Sequence, residues 1–147
     1  MKLHLPAQLL QRIEHHGETS YPDEGAGALL GHTHDGYVDI VDLLPLENSF
    51  ESSQRRRRYR IDARSMMMVE QTAEDRHLEV VGIFHSHPDH PARPSEYDLE
   101  NSLPWFLYII TSIEAGNASD SRAWRLLDDR SQFEEIQLNI DKVEVET

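Results

Sequence analysis

The sequence predicts a single α/β domain, on three observations. Apolar runs of strand length recur along the chain, at Ala26 to Gly31, Leu78 to Phe84 and Trp105 to Thr111. Segments with apolar residues at helical spacing lie between them, over Pro6 to His16 and Arg64 to His77. The 147 residues amount to about one domain, enough to bury roughly two thirds of the unfolded surface in one core.

Leu3 and Leu5 form a short first strand, and Pro6 opens a helix whose apolar face is Leu9, Leu10 and Ile13 and which Gly17 ends. Tyr21-Pro22 breaks the chain before Glu24, which sits at the entrance of the small-residue strand Ala26 to Gly31. His32 and His34 make a His-x-His pair, but Asp35-Gly36 reads as a hairpin turn, so a surface turn is expected there rather than a metal site. Tyr37 to Leu46 alternates Val38, Ile40 and Asp42 against Asp39, Val41 and Leu43 and ends near Pro45.

Glu47 to Ser53 is polar loop, and Arg55 to Asp62 is a β-compatible stretch holding five of the chain's twelve arginines. A solvated face is the ordinary use of such a charge run. Asp62 stands near the start of the helix Arg64 to His77, whose Met66-Met67-Met68 reads as core and whose His77 caps or ends it. Pro104 halts a short helix over Asp98 to Ser102, and the run Trp105 to Thr111 suits a central strand. Ser112 to Asp120 reads as loop, and Ala123 to Leu127 with Phe133 to Ile140 as a final hairpin around Asp128-Asp129-Arg130. Residues 1–140 are expected to be the domain and 141–147 an acidic tail.

Zero cysteines remove disulfides and redox chemistry. A net charge of −13 argues against nucleic-acid binding, because the summed field repels a phosphate backbone. No apolar run is long enough to span a bilayer and no charged leader precedes one, so a cytoplasmic protein without a membrane segment is expected. There is no heptad or other self-pairing signal, which leaves a monomer or weak homodimer as the expectation.

The chemistry concentrates in Gly82-Ile83-Phe84-His85-Ser86-His87-Pro88 and Ser95-Glu96-Tyr97-Asp98. Two histidines two residues apart at a strand end point the same way. Pro88, Pro91 and Pro94 turn the chain off that strand, Ser95 has the residue type of a helix N-cap, and Asp98 takes the third helical position, aimed back at the strand end. Two neutral imidazoles and a carboxylate suit zinc, whose catalytic sites take three protein ligands and keep the fourth position open. His90 and Asp89 lie in the intervening loop as competing donors; solvent exposure suits His90, and Asp89 would have to curl back on Pro88. The bland alternative is a pair of surface histidines beside an ordinary capping box.

The string His85-Ser86-His87-Pro88, six residues, Ser95, two residues, Asp98 resembles the signature of the JAMM (MPN-plus, Mov34/MPN/PAD-1) zinc metalloproteases, without a gap. That family also has an upstream glutamate in a Pro-x-Glu-x-x-Gly-x-Leu-x-Gly context, matched here by Pro22 to Gly31 with Glu24 in place. The resemblance covers roughly the first 130 residues, a typical single-domain length, and is nearest to the small bacterial branch that processes ubiquitin-like sulfur-carrier proteins. It implies a mixed β-sheet flanked by helices, with cytidine-deaminase-like topology. It implies His85, His87 and Asp98 as zinc ligands, Glu24 as general acid/base and Ser95 as the residue stabilising the oxyanion. It implies cleavage of a peptide or isopeptide bond after a carrier's terminal Gly-Gly. Gly25-Ala26 stands where this branch often has Ala-Cys, and the substrate-gripping insertion of eukaryotic members is missing after Asp98, so polyubiquitin linkage specificity is not expected. In the resembled family the arginine-rich stretch lies beside the cleft, where Arg56, Arg58 and Arg60 would contact the substrate tail or the carboxylates of an acidic partner. A noncatalytic MPN-type scaffold is the alternative, although scaffold members usually lack one or more of these residues. Base deamination lacks its His-x-Glu and Pro-Cys-x-x-Cys elements.

Overall fold

The computed structural model of the chain describes residues 1–141, so the expected acidic tail beyond Asp141 lies outside the described residues. Leu3 and Leu5 are fully buried on β1 (Lys2–Pro6), and α1 (Ala7–Ser20) follows directly. This helix does not stop at Gly17 as expected. Gly17 is the point of closest approach to the sheet, where a Cβ would stand 2.8 Å from Ile113 Cδ1 and 3.2 Å from Ser86 Cβ, so the glycine serves close packing rather than termination.

β2 (Ala26–His34) and β3 (Tyr37–Leu46) form the expected hairpin, turning at Asp35-Gly36 with Gly36 at φ +83°. His34 pairs with Asp39 at 3.1 Å and stacks on Tyr37, so the first His-x-His belongs to an exposed hairpin end. The register shifts between Leu30 and Gly31, leaving Val41 without a partner. That bulge slips the alternation of β3 by one, so Leu43 is buried with Val38 and Ile40 while Val41 is exposed, contrary to the uninterrupted alternation expected.

The arginine stretch is not a strand. It runs as a 3-10 turn (Ser52–Gln54) and irregular chain up to α2 (Ala63–Asp75), whose Ser65 N–H donates to the Asp62 cap at 2.8 Å. Its backbone bonds go instead to the facing loop, Ser49 N–H to Arg60 O at 2.9 Å. α2 buries Val69 and Ala73, whereas Met67 and Met68 are 70% and 55% exposed and Met66 is half-buried. Three consecutive residues sweep most of a helix circumference, so they cannot all be core.

β4 (Glu79–Pro88), α3 (Glu96–Asn101), β5 (Leu107–Glu114), β6 (Asn117–Leu126) and β7 (Phe133–Asp141) complete the chain. Trp105 precedes β5 and is 71% exposed rather than core. The segment expected as loop from Ser112 to Asp120 is the β5–β6 hairpin, reversing at Ala115-Gly116, both with positive φ.

The seven strands pair in the order β1-β3-β2-β4-β5-β6-β7, and parallel pairing of β1 with β7 closes the mixed sheet into a barrel. The expected mixed sheet with helices is present, and it closes into a barrel. α1 packs on one face, with Leu9 and Ile13 among Leu3, Leu5, Leu29, Phe84 and Ile109. α2 packs on the other, with Val69 and Ala73 against Ala28, Leu30 and Leu46. Among the described residues no helix is long and apolar enough to cross a membrane.

Gly82 sits where β4 and β5 pair in parallel, and a Cβ there would lie 2.0 Å from the Leu107 carbonyl oxygen. Gly82→Ala is therefore expected to cost about 1–3 kcal/mol or more, read as a lower midpoint in urea unfolding; an unchanged midpoint would show that the strand pair can open without penalty.

Candidate functional site

Alternation along β4 sends Phe84 and Ser86 toward α1 and His85 and His87 to the opposite face. The Phe84 ring meets His16 of α1 edge-on, 5.9 Å away, while His85 stacks on Tyr59 at 4.5 Å. The two imidazoles thus share one face as expected, their ring centres 5.0 Å apart.

Glu24 reaches them because β2 lies beside β4, with Ala26 opposite His85. Ser86 and Gly25 hold this register by exchanging two hydrogen bonds: Gly25 N–H donates to Ser86 Oγ at 2.8 Å and Ser86 N–H to Gly25 O at 2.9 Å. Glu24 itself is anchored by its backbone, its N–H donating to Arg55 O and its carbonyl accepting from Asn48 Nδ2 at 2.9 Å. Asn48 makes three more bonds, donating to Arg58 O and accepting from the N–H groups of Phe50 and Arg60.

Asp98 arrives on α3. Ser95 caps this helix, its hydroxyl accepting from Asp98 N–H at 3.1 Å while Ser95 N–H donates to Asp98 Oδ2 at 2.9 Å, a reciprocal capping box that fixes the carboxylate. The loop between is pinned at both ends: His87 Nδ1–H donates to Pro91 O at 2.9 Å, and Trp124 Nε1–H to Ala92 O at 3.0 Å. In the neutral imidazole the Pro91 bond holds the proton on Nδ1 and leaves the Nε2 lone pair facing the site. His90 and Asp89 stay outside, both exposed, with Asp89 taken up by Tyr21 Oη–H and Ala115 N–H.

Four ionisable side chains therefore converge. Asp98 lies 3.1 Å from His87 Nε2 and 3.7 Å from His85 Nε2, and Glu24 lies 3.4 Å from His85 Nδ1 and 4.0 Å from His87 Nε2. All four are buried, none more than 6% exposed. His85 Nδ1 is a buried polar atom without a hydrogen-bond partner among the described residues. Glu24, His85 and His87 offer donor atoms within 4.8 Å of one another, and Asp98 faces both Nε2 atoms from the other side. Two imidazoles and two carboxylates gathered in one buried space, with both Nε2 atoms facing Asp98, fit a metal ion as the missing component.

The sequence matches the prokaryotic homologs of the JAB domain over residues 6–127. The chain belongs to this family. It is 32% identical over 83 residues to a desampylase of Pyrococcus furiosus, a match covering 56% of each chain, so it spans little more than half the length of that relative. It is 28% identical over 108 residues to a probable TtuB-protein conjugate cleaving protease of Thermus thermophilus, covering 74% of this chain and 68% of that one. A protein from Salinibacter ruber, solved in solution, superposes with a TM-score of 0.74 at 40% identity, over 100% of this chain and 95% of that one.

In this JAB domain the cluster opens onto a cleft of about 470 Å³ lined by Glu24, His87, Ser95, Arg56, Arg57 and Arg93, among others. Arg58 and Arg60, expected beside Arg56, are turned away from it. The Arg58 guanidinium stacks 5.1 Å from the Tyr97 ring and that of Arg60 stands 4.5 Å over Phe50, Arg60 lining a second cleft on the Asp98 side with Tyr59, Ile83 and Phe106. Arg57 and Arg93 were not singled out by sequence, nor were Asn48, Ser86 and Tyr59. Ser86 lies inside the motif itself and could have been found from the strand alternation that turns it away from its neighbours.

Burial alone would raise the Asp98 carboxyl, but the charges of His85 and His87 and the hydrogen bonds from His87 and Ser95 hold it well below the carboxylate range. Burial likewise opposes charge on His87, and the bond to Asp98 with the Asp98 and Glu24 charges outweighs it, so His87 is raised. In the metal-free protein the depressed Asp98 contributes stability that is complete above about pH 4 and lost below, and the raised His87 contributes stability that is complete below about pH 6.5 and lost above. The stability advantage of the metal-free wild type over Asp98→Asn is therefore expected to be largest near pH 5–6 and to shrink by pH 9, measured by urea unfolding in a chelator; a difference independent of pH would separate the pair energetically.

Proposed function

We propose that this chain is a zinc-dependent metallopeptidase that hydrolyses a peptide or isopeptide bond after the C-terminal Gly-Gly of a ubiquitin-like sulfur-carrier protein. The observation that carries this reading is the convergence of His85, His87, Asp98 and Glu24, all buried, at the wall of one open cleft. The desampylase of Pyrococcus and the probable TtuB-conjugate cleaving protease of Thermus support the substrate class.

His85 and His87 through Nε2, with Asp98, would hold zinc, and Glu24, the farther carboxylate from His87 Nε2, is left free. Bound there, zinc supplies a Lewis acid that acidifies water and polarises a carbonyl. Glu24 takes one proton from the attacking water and delivers it to the departing nitrogen, so the C–N bond breaks to an amine and the carbonyl carbon gains the water oxygen. Ser95 has its oxygen occupied by Asp98 N–H and its own proton free, and that proton is donated to the developing oxyanion. Tyr59 holds the His85 ring by stacking, and burial with neighbouring tyrosines and carboxylates pushes its phenol well above the ordinary value, so it stays neutral.

The reading includes a cytoplasmic location, residues 1–140 as the catalytic domain, a cytidine-deaminase-like topology, and action as a monomer or weak homodimer. Retention of all four site residues favours it over a noncatalytic scaffold.

Glu24→Gln is expected to keep stoichiometric zinc and lose about 10²-fold or more of its activity on carriers extended beyond Gly-Gly, while His87→Ala loses both. Zinc content by elemental analysis beside a cleavage assay decides it: wild type without zinc ends the metal reading, and full turnover by Glu24→Gln removes that residue from the reaction.

A further inference from the structure

The chain from Asn48 to Arg60 has no regular structure beyond the 3-10 turn Ser52–Gln54, yet it touches every part of the candidate site. The Arg55 carbonyl accepts the Glu24 N–H, and the Tyr59 ring stacks on His85 at 4.5 Å. Tyr97, one residue before Asp98 on α3, donates its hydroxyl proton to Tyr59 O at 3.3 Å and meets the Phe50 ring edge-on at 6.0 Å. Glu24, one histidine and the helix that carries Asp98 thus lean on a single loop.

The neck of that loop is Asn48. One Nδ2 hydrogen goes to Glu24 O at 2.9 Å and the other to Arg58 O at 3.0 Å, while Oδ1 accepts from Phe50 N–H at 3.0 Å and Arg60 N–H at 3.1 Å. Two donors and two lone pairs are the full capacity of a carboxamide, and all are used. Both Nδ2 partners are carbonyl oxygens and both Oδ1 partners are N–H groups, so one orientation of the amide satisfies the network. Ser49 closes the neck beside it, its N–H and its hydroxyl both donating to Arg60 O at 2.9 Å.

Glu24 depends on such a hold. It precedes β2 and stands outside the ladder that sets Ala26 opposite His85. Both of its backbone polar groups go to the loop, the N–H to Arg55 and the carbonyl to Asn48. Its carboxylate stands 3.4 Å from His85 Nδ1 and 4.0 Å from His87 Nε2, and among the described residues His85 Nδ1 takes no hydrogen bond from it. The place of the carboxylate is therefore set through the main chain.

From this, and resting on the peptidase reading above, we infer that Asn48 is a positioning residue for the hydrolysis: by joining the Glu24 carbonyl to the 48–60 loop, it holds the Glu24 carboxylate within reach of the attacking water. A proton acceptor displaced by about 1 Å loses up to about 10²-fold in rate, which puts the effect of Asn48 in kcat rather than in KM. Aspartate at this position keeps both acceptor bonds but turns a second oxygen toward the Glu24 and Arg58 carbonyls. The isosteric change therefore removes the hold as alanine does.

The test measures cleavage of a carrier extended beyond Gly-Gly by the wild type, Asn48→Ala, Asn48→Asp, Glu24→Gln and the two double variants, with kcat taken per bound zinc so that unfolded protein is left out of the count. Asn48→Ala and Asn48→Asp are each expected to keep stoichiometric zinc, to lower kcat about tenfold and to leave KM within about twofold. Added to Glu24→Gln, either change is expected to lower kcat by less than about twofold more, because the carboxylate it positions is already gone. In the zinc-free protein, hydrogen exchange of the Glu24 amide is expected to speed up about tenfold in both single variants. Equal losses with and without the Glu24 carboxylate, a loss carried by KM or by zinc content, or unchanged exchange at Glu24 overturns the role of Asn48 and leaves the peptidase standing. Full turnover by Glu24→Gln removes the group that Asn48 would position, and absence of cleavage on every carrier removes the reaction; either overturns this inference, and the second overturns the peptidase reading as well.

Discussion

Two hydrogen bonds between Gly25 and Ser86 hold the chemistry of this protein together. Glu24, just ahead of β2, and the two histidines of β4 are far apart in sequence, the neighbouring Gly25 and Ser86 being 61 residues apart, and no side-chain bond within hydrogen-bonding geometry joins Glu24 to either imidazole. The backbone does that work. Ser86, facing away from the site toward α1, locks β2 against β4 one residue from each of the groups that must meet. The Gly17 contact with Ser86 carries the arrangement inward, since a larger residue there would press on the serine that sets the register.

A second consequence concerns charge. Gathering two carboxylates and two imidazoles in a buried space is unfavourable unless each group is compensated. Asp98 is compensated by the capping box and by His87, whereas His85 Nδ1 has no hydrogen bond among the described residues. The surrounding bonds, from Pro91, Ser95 and Asn48, thus hold in place groups that do not all satisfy one another. Rigid support around an incompletely satisfied centre is how folds keep binding energy available for what enters.

The clustered histidines and Asp98 were legible because their message is local: His85 and His87 share a strand face by alternation, and Ser95 and Asp98 share a helix cap by spacing. Glu24 was legible only through resemblance, since nothing within reach of it in sequence says that β2 and β4 adjoin. The misreadings have a common cause. Met67, Met68 and Trp105 were assigned to the core because they are apolar, but burial depends on where an element faces, which the strand order decides. Ser112 to Asp120 read as loop on its polar residues, although strands at a sheet surface accept them. Arg58 and Arg60 lie against the ring faces of Tyr97 and Phe50, a partnership that only tertiary structure reveals.

Closure of the barrel by β1 and β7 has a bearing on how the chain is made. Lys2 to Pro6 pair with Gln137 to Asp141, so the first described strand completes its hydrogen bonding only with the last described one. β3 can shelter one edge of β1 early, but the other edge waits until nearly all of the domain has emerged. β4, which carries the histidines, and β2, which follows Glu24, lie in the middle of the order and can pair long before that. The pairing that brings Glu24 to the histidines can thus form ahead of the seam that closes the sheet, and the nascent protein carries an open sheet edge until β7 has appeared.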